Sequence, residues 1–191
     1  MARHGETDWN RESRFQGHAN TRLNESGREQ ARGLADRLAR EKITAVYASP
    51  LARALETAEI VAGRLGLDVE TVESLREVDV GSWSGLTRAE IEERFPEGFR
   101  RWIEFDHGWD GGESYEELGV RVLAALRTLA ARHPEERVLV VSHGGPMRAA
   151  LASASASSYA DARRIAKPIG NCDVAVFRFE EDELRRIDSD L

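Results

Sequence analysis

Four consecutive aliphatic residues, Val138-Leu139-Val140-Val141, run without a polar interruption and end at Ser142-His143-Gly144-Gly145. A half-buried strand alternates apolar and polar positions, whereas an unbroken run needs both of its faces covered. That is the condition of a parallel sheet between layers of helices. Parallel neighbours also need long crossovers, so such a strand demands helices elsewhere in the chain.

The chain supplies them. Residues 43–48 form a second β-prone run, closed by Ser49-Pro50, which reads as an N-cap followed by the first helical position. Leu51, Ala54, Leu55, Ala58, Val61, Ala62 and Leu65 then recur on one helical face, with Arg53 in the first turn. Ser26 and Glu29 are spaced as a capping box ahead of Ala31, Leu34, Ala35, Leu38 and Ala39, and Ser114 with Glu117 forms another before Leu118, Val122, Ala125, Leu126 and Leu129. A third strand is expected at 68–72 and a hairpin from 173–180 and 183–187. Residues 7–23 are polar and aperiodic, which predicts a long loop, and 145–163 should begin helical and end in a small-residue loop. Only two residues precede Arg3, so either the first strand is very short or the sequence starts late.

This alternation predicts an α/β protein: a three-layer α/β/α sandwich with a mostly parallel central sheet, in one domain spanning residues 1–191. Residues 83–113 hold six of the thirteen aromatics, Trp83, Phe95, Phe99, Trp102, Phe105 and Trp109. They read as a small helical cap or lid, the alternative being a satellite core beneath a loop.

A formal net charge of -7 argues against nucleic acid and anionic membranes as partners, so an anionic substrate has to be held by local positive charge. The apolar runs are too short to cross a bilayer, and the first residues are charged rather than leader-like, which makes a cytoplasmic protein the expectation. Cys172 is the single cysteine, which excludes an internal disulfide or a cysteine zinc site and leaves it as a packing residue.

In open parallel sheets ligands bind beyond the carboxyl ends of the strands. His4, Arg53 and His143 each follow a predicted strand, so their side chains should share one rim. Helix starts at Ser49-Pro50 and at His143-Gly144-Gly145-Pro146 add unpaired N–H groups, and the planar forks of Arg3 and Arg53 match phosphate oxygens. A neutral imidazole is the natural nucleophile among these groups. An exposed position for His4 on the rim is expected. Glu77 is the candidate proton donor, with Asp79 and Glu73 as rivals that pattern alone leaves open.

The same residues fall into a familiar order. Arg3-His4-Gly5-Glu6-Thr7 with Trp9-Asn10, Phe15-Gln16-Gly17, and Ser49-Pro50-Leu51-Ala52-Arg53-Ala54 with Glu56-Thr57 come first. Leu75-Arg76-Glu77 leading to Gly81 and Gly85, Gly112-Glu113-Ser114 and Ser142-His143-Gly144 follow. Over almost its whole length the chain resembles the histidine phosphatase superfamily with its phosphoglycerate mutase-like branch. The resemblance implies that His4 is phosphorylated, that Arg3, Arg53 and His143 complete the phosphate pocket, and that Glu77 is the proton donor. It places Asn10, Gln16, Gly17 and Gly144 around the bound phosphate and calls for neither metal nor cofactor. The near absence of an apolar strand before Arg3 departs from the family pattern.

Compact length and the aromatic-rich cap resemble the phosphatase branch. The activity so implied is that of a histidine acid phosphatase-type phosphoric monoester hydrolase acting on a small phosphorylated substrate; a homodimer is left open. The first alternative is a cofactor-dependent phosphoglycerate mutase, which tends to carry a small hydroxyl residue where Gln16 stands; in it Arg88, Arg100 and Arg101 would hold a substrate carboxylate rather than form a solvated face. The second is a phospho-ligand binding module without turnover. His18, His107 and His133 are expected to be exposed or locally bonded, with His107 the nearest of them to substrate, and Glu113 suits a helix first turn better than the chemistry.

Overall fold

A computed structural model describes residues 1–165 and 168–187. Four strands, β1 (Ala2–Arg3), β2 (Ile43–Ala48), β3 (Val69–Thr71) and β4 (Arg137–Ser142), form one sheet in the order β1-β4-β2-β3, every pair parallel. The described helices are α1 (Asp8–Arg11), α2 (Glu25–Leu38), α3 (Ala52–Leu65), α4 (Arg88–Arg94), α5 (Pro96–Ile103), α6 (Tyr115–Arg132), α7 (Gly144–Ala154) and α8 (Tyr159–Ile165). Among the described residues no helix is long and apolar enough to cross a membrane.

The unbroken apolar run behaves as its composition requires. Leu139 and Val141 of β4, with Val46 and Ala48 of β2, pack under α2 and α3 against Leu34, Leu38, Ala58 and Val61. Val140 and Tyr47 point the other way, towards α6 and α7, where Leu118, Val122, Leu126 and Ala150 cover them. Both faces of the sheet are thus dry, and each fully buried aliphatic side chain contributes about 1.5–3 kcal/mol. The register sets the rim. Arg3 lies opposite Ser142 and Ala48 opposite Val141, so β1, β2 and β4 end level with one another.

The first strand, two residues long, is supported from the far end of the chain. Asp173 O accepts Arg3 N–H at 3.0 Å, Cys172 N–H donates to Arg3 O at 3.1 Å, and Ala2 bridges Val174 antiparallel. The chain then turns into the hairpin β5 (Val176–Glu180) and β6 (Glu183–Ile187).

Several helix starts differ from the sequence expectation. Asn24, not Ser26, caps α2, its Oδ1 accepting Gly27 N–H at 2.8 Å. The helix α3 begins at Ala52 with no side-chain cap, because its N-cap residue is Leu51, whose side chain has no acceptor; Ser49 lies two residues earlier, beside His143. The expected loop after Thr7 contains α1, closed by a Thr7/Asn10 capping box, and the expected loop after Ser158 contains α8, with Ser158 Oγ accepting Asp161 N–H at 3.1 Å.

In the 83–113 segment Trp83 is fully buried, edge-on to Phe15 and Trp109 at 5.4 and 5.6 Å. Trp83, Ile91 and Trp109 belong to the same apolar cluster as Leu118, Val122 and Val140, so this segment extends the core on the α6/α7 side. Arg88 lies over the Trp102 ring at 5.0 Å, Arg100 pairs with Glu97, and Arg101 donates to Gly108 O.

Candidate active site

Level strand ends bring the residues after them together. His4 N–H donates to Ser142 O at 3.0 Å across the β1–β4 pair, and the His4 and His143 rings meet edge-on, centroids 5.2 Å apart. His4 is only 2% exposed, which corrects the expectation of an open rim side chain. The walls that enclose it come from loops with no apolar period, the 15–21 stretch beneath Arg53 and the 169–173 stretch beside β1.

Local bonding fixes the tautomer of His4. Its Nδ1 lies 2.7 Å from Gly5 O, which only accepts, so Nδ1 carries the proton and Nε2 keeps its lone pair. Arg53 Nε–H points at that lone pair from 3.3 Å. Gly5 is held in turn by its N–H to Thr57 Oγ1 at 3.0 Å, and His4 O accepts Asn171 Nδ2–H at 2.9 Å.

His143 stands at the N-cap of α7 and is fully buried. Ser49 Oγ lies 2.8 Å from its Nε2 and accepts Leu51 N–H at 3.3 Å; among the described residues the hydroxyl proton has no other acceptor, so it goes to His143 Nε2 and the ring carries its own proton on Nδ1. Among the described residues that buried Nδ1 has no partner, and neither has the buried Nε of Arg3, whose Nη1 donates to Ile169 O at 2.5 Å. Buried donors left unpaired by the protein are what an anion would satisfy.

Arg53 is fully buried in the first turn of α3. Its Nη2 and Nη1 donate to Gly17 O at 2.9 Å and Ala19 O at 2.8 Å. Gly17 has φ +49°, and a Cβ there would sit 2.7 Å from Val80 Cγ2, so only glycine presents that carbonyl to Arg53. Gln16 Oε1 accepts from the hydroxyls of Thr7 and Thr21, and Asn10 Oδ1 accepts Thr7 N–H, so both brace the loop that carries Gly17.

Glu77 reaches the same place from the turn region after β3. Its Oε1 accepts N–H groups from Gly145 at 3.0 Å and Val78 at 2.9 Å. Gly145, rather than Gly144, makes this contact: a Cβ on residue 145 would lie 2.3 Å from Glu77 Oε1, whereas one on residue 144 would be 4.0 Å from Oε2. Of the rivals for the acid role, Asp79 Oδ1 is used by Gly81 N–H and Glu73 pairs with Arg76. His18 bonds the Glu77 carbonyl at 2.8 Å, His107 bonds Asp106, and His133 sits between Tyr47 and Glu136. Glu113 pairs with Arg121.

Burial, reinforced by the Arg53 and Arg3 charges, holds the His4 imidazole well below the ordinary histidine range; burial and then Arg53 and His4 do the same to His143. Burial also lowers Arg53, to about 10, with Glu77 opposing, which leaves the guanidinium charged at neutral pH. Depressed histidines make folding pH-dependent, since the unfolded chain takes up protons near pH 6.5 that the folded one refuses. Stability should be full above about pH 7 and fall as pH drops through the ordinary histidine value, by up to about 2.7 kcal/mol per pH unit for two protons. Urea midpoints taken from pH 8 down to pH 5 measure this; a level midpoint between 7 and 5 contradicts it.

Sequence alone assigns the side chains of Ser49, Thr57, Asn171 and Arg121 no role in the site. Ser49 resembles a helix cap, Thr57 falls on a helical face, and Asn171 lies in a stretch without periodicity.

The family model of the histidine phosphatase superfamily (branch 1) matches residues 1–188. Phosphoglycerate mutase-like protein 4 of Arabidopsis thaliana is 41% identical over 189 residues, covering 96% of this chain and 80% of its own length. Phosphoserine phosphatase 1 of Hydrogenobacter thermophilus is 41% identical over 151 residues, 78% of this chain and 72% of that protein. A mycobacterial glucosyl-3-phosphoglycerate phosphatase, solved with VO3, superposes with a TM-score of 0.87 at 32% identity, over 98% of this chain and 94% of that one. With that match running through the level strand ends and both histidines, the chain belongs to the histidine phosphatase superfamily, branch 1.

Proposed function

We propose that this chain is a phosphomonoesterase that hydrolyses small phosphorylated metabolites through a phosphohistidine on His4. The observation that carries the reading is the His4 ring itself: Nδ1 is locked to Gly5 O, and the free Nε2 lone pair faces Arg53 beside His143. Attack by Nε2 on phosphorus breaks the ester P–O bond. The carboxyl of Glu77 gives its proton to the departing alkoxide, then as carboxylate takes one from the water that cleaves the P–N bond to release phosphate. Arg3, Arg53 and His143 Nδ1–H stabilise the charge on the transferring phosphoryl oxygens. Because His4 stays neutral well below pH 6.5, the nucleophile survives on the acid side, in keeping with an acid phosphatase-type enzyme.

The names of two relatives, a phosphoserine phosphatase and a glucosyl-3-phosphoglycerate phosphatase, support a phosphorylated hydroxy acid as the first substrate class to try. Phosphate release should be followed from O-phosphoserine, 3-phosphoglycerate, glycerol phosphate and p-nitrophenyl phosphate, with a separate mutase assay on 3-phosphoglycerate plus 2,3-bisphosphoglycerate. Hydrolysis without net mutase turnover is expected. Glu77→Gln should slow alkyl esters by about 10²-fold or more and p-nitrophenyl phosphate by less than about tenfold. Absence of phosphate release from every ester, together with no turnover in the mutase assay, would leave only a binding protein.

A further inference from the structure

Resting on the reading of Glu77 as proton donor, we propose that Arg121 is the positioning residue for that carboxyl, acting from α6 through a fixed fork to Glu113. Glu77 lies outside any regular element, in the stretch between two short 3-10 turns, Glu73–Leu75 and Gly81–Trp83. Such a stretch has no ladder to satisfy its carbonyls or fix its path. Arg121 supplies both.

All five N–H groups of its guanidinium are used. Nη1 donates to Ser74 O at 2.9 Å and Arg76 O at 2.8 Å, and Nη2 donates to Glu77 O at 2.9 Å. The remaining Nη2–H and the Nε–H form the fork to Glu113, Nη2 to Oε2 at 2.7 Å. Glu113 is itself anchored, since its N–H donates to Asp79 O at 3.0 Å and its O accepts Trp109 Nε1–H at 3.0 Å.

The side chains of Arg121 and Glu113 are 23% and 15% exposed, so this pair is no solvated surface bridge. The carboxylate of Glu113 pairs with the guanidinium, and Arg121 meets Glu77 through the backbone carbonyl rather than through the acid group. Glu77 is therefore gripped at two ends, its carbonyl by Arg121 on α6 together with His18 Nε2, and its Oε1 by Gly145 N–H on α7 together with Val78 N–H. A lysine offers three donors on a flexible stem and cannot reproduce three backbone bonds and a fork together. Displacement of a catalytic group by about 1 Å costs roughly 10²-fold in rate.

Arg121→Lys and Glu113→Gln test this against Glu77→Gln, each measured for kcat/KM on an alkyl phosphate and on p-nitrophenyl phosphate. The nitrophenolate leaves without a proton, so misplacement of the acid should spare it. The expected result is a loss of about 10- to 100-fold on the alkyl ester, less than about threefold on the aryl ester, and no further alkyl loss when Arg121→Lys is added to Glu77→Gln. Equal losses on both esters that follow the loss of folded protein would mean Arg121 only holds the fold, and would overturn the proposal. Should Arg121→Lys not fold, Glu113→Gln keeps the guanidinium in place and carries the same comparison. If Glu77→Gln shows no preference between esters, the proton-donor reading itself fails and this one with it; a preference in Glu77→Gln that is missing from Arg121→Lys and Glu113→Gln refutes the positioning role alone.

Discussion

Replacing His4 by alanine should reduce phosphate release from p-nitrophenyl phosphate by about 10⁴- to 10⁶-fold and remove any acid-labile phosphoenzyme. No neighbour can take over the attack. His143 has Nε2 tied to Ser49, its Nδ1 bears the ring proton, and the arginines have no lone pair to offer. What remains is the field of Arg3, Arg53 and His143 acting on a water molecule, the kind of residual catalysis that survives when a nucleophile is deleted. The substitution also acts on the fold, because the imidazole is sealed in and its Nδ1–H satisfies Gly5 O. A cost of about 1–3 kcal/mol follows from a lost buried hydrogen bond and a small cavity. Rapid-quench labelling with a radioactive phosphate ester, on samples shown by circular dichroism to be folded, separates the two effects. A folded variant within tenfold of the parent rate would remove His4 from the role of nucleophile.

The apolar run 138–141 gave away the sheet and the dryness of both its faces, because an uninterrupted aliphatic strand has no other way to be buried. From it followed the rim on which His4, Arg53 and His143 meet, since level parallel strands deliver what comes next to one edge. The burial of His4 was not legible, nor was the support of a two-residue first strand. Both depend on groups some 170 residues away in sequence: the carbonyls of Ile169 and Asp173, which look the same in every residue type, and the side-chain amide of Asn171, which lies in a stretch without periodicity. Arg121 was hidden for the same reason: three of its five bonds go to main-chain oxygens, which leave no trace in the pattern of side chains. Ser49 misled because a serine before a proline fits a helix start as well as a bond to His143.

Arg53→Met should lower kcat/KM for every phosphate ester by about 10³-fold and shift the acid limb of the pH–rate profile upwards. The loss in rate has two sources. One cation leaves the pocket where charge builds up on the transferring oxygens, and removal of a single preorganised donor alone costs about 10²- to 10³-fold. The carbonyls of Gly17 and Ala19 also lose their partner, so the loop that frames the pocket relaxes. The pH effect comes from His4. Burial is the largest cause of its depressed basicity and Arg53 the next, so deleting the guanidinium removes one of the forces that keep Nε2 unprotonated. The His4 value then moves part of the way back towards 6.5, and the acid limb, which reports protonation of the free nucleophile, follows it. Arg53→Lys tests the division of labour. A charge retained in the pocket keeps the limb low, while the lost fork to Gly17 and Ala19 still lowers the rate. An acid limb that stays in place in Arg53→Met, with the rate reduced, would mean that Arg53 acts on the phosphoryl group alone and that burial by itself keeps His4 neutral.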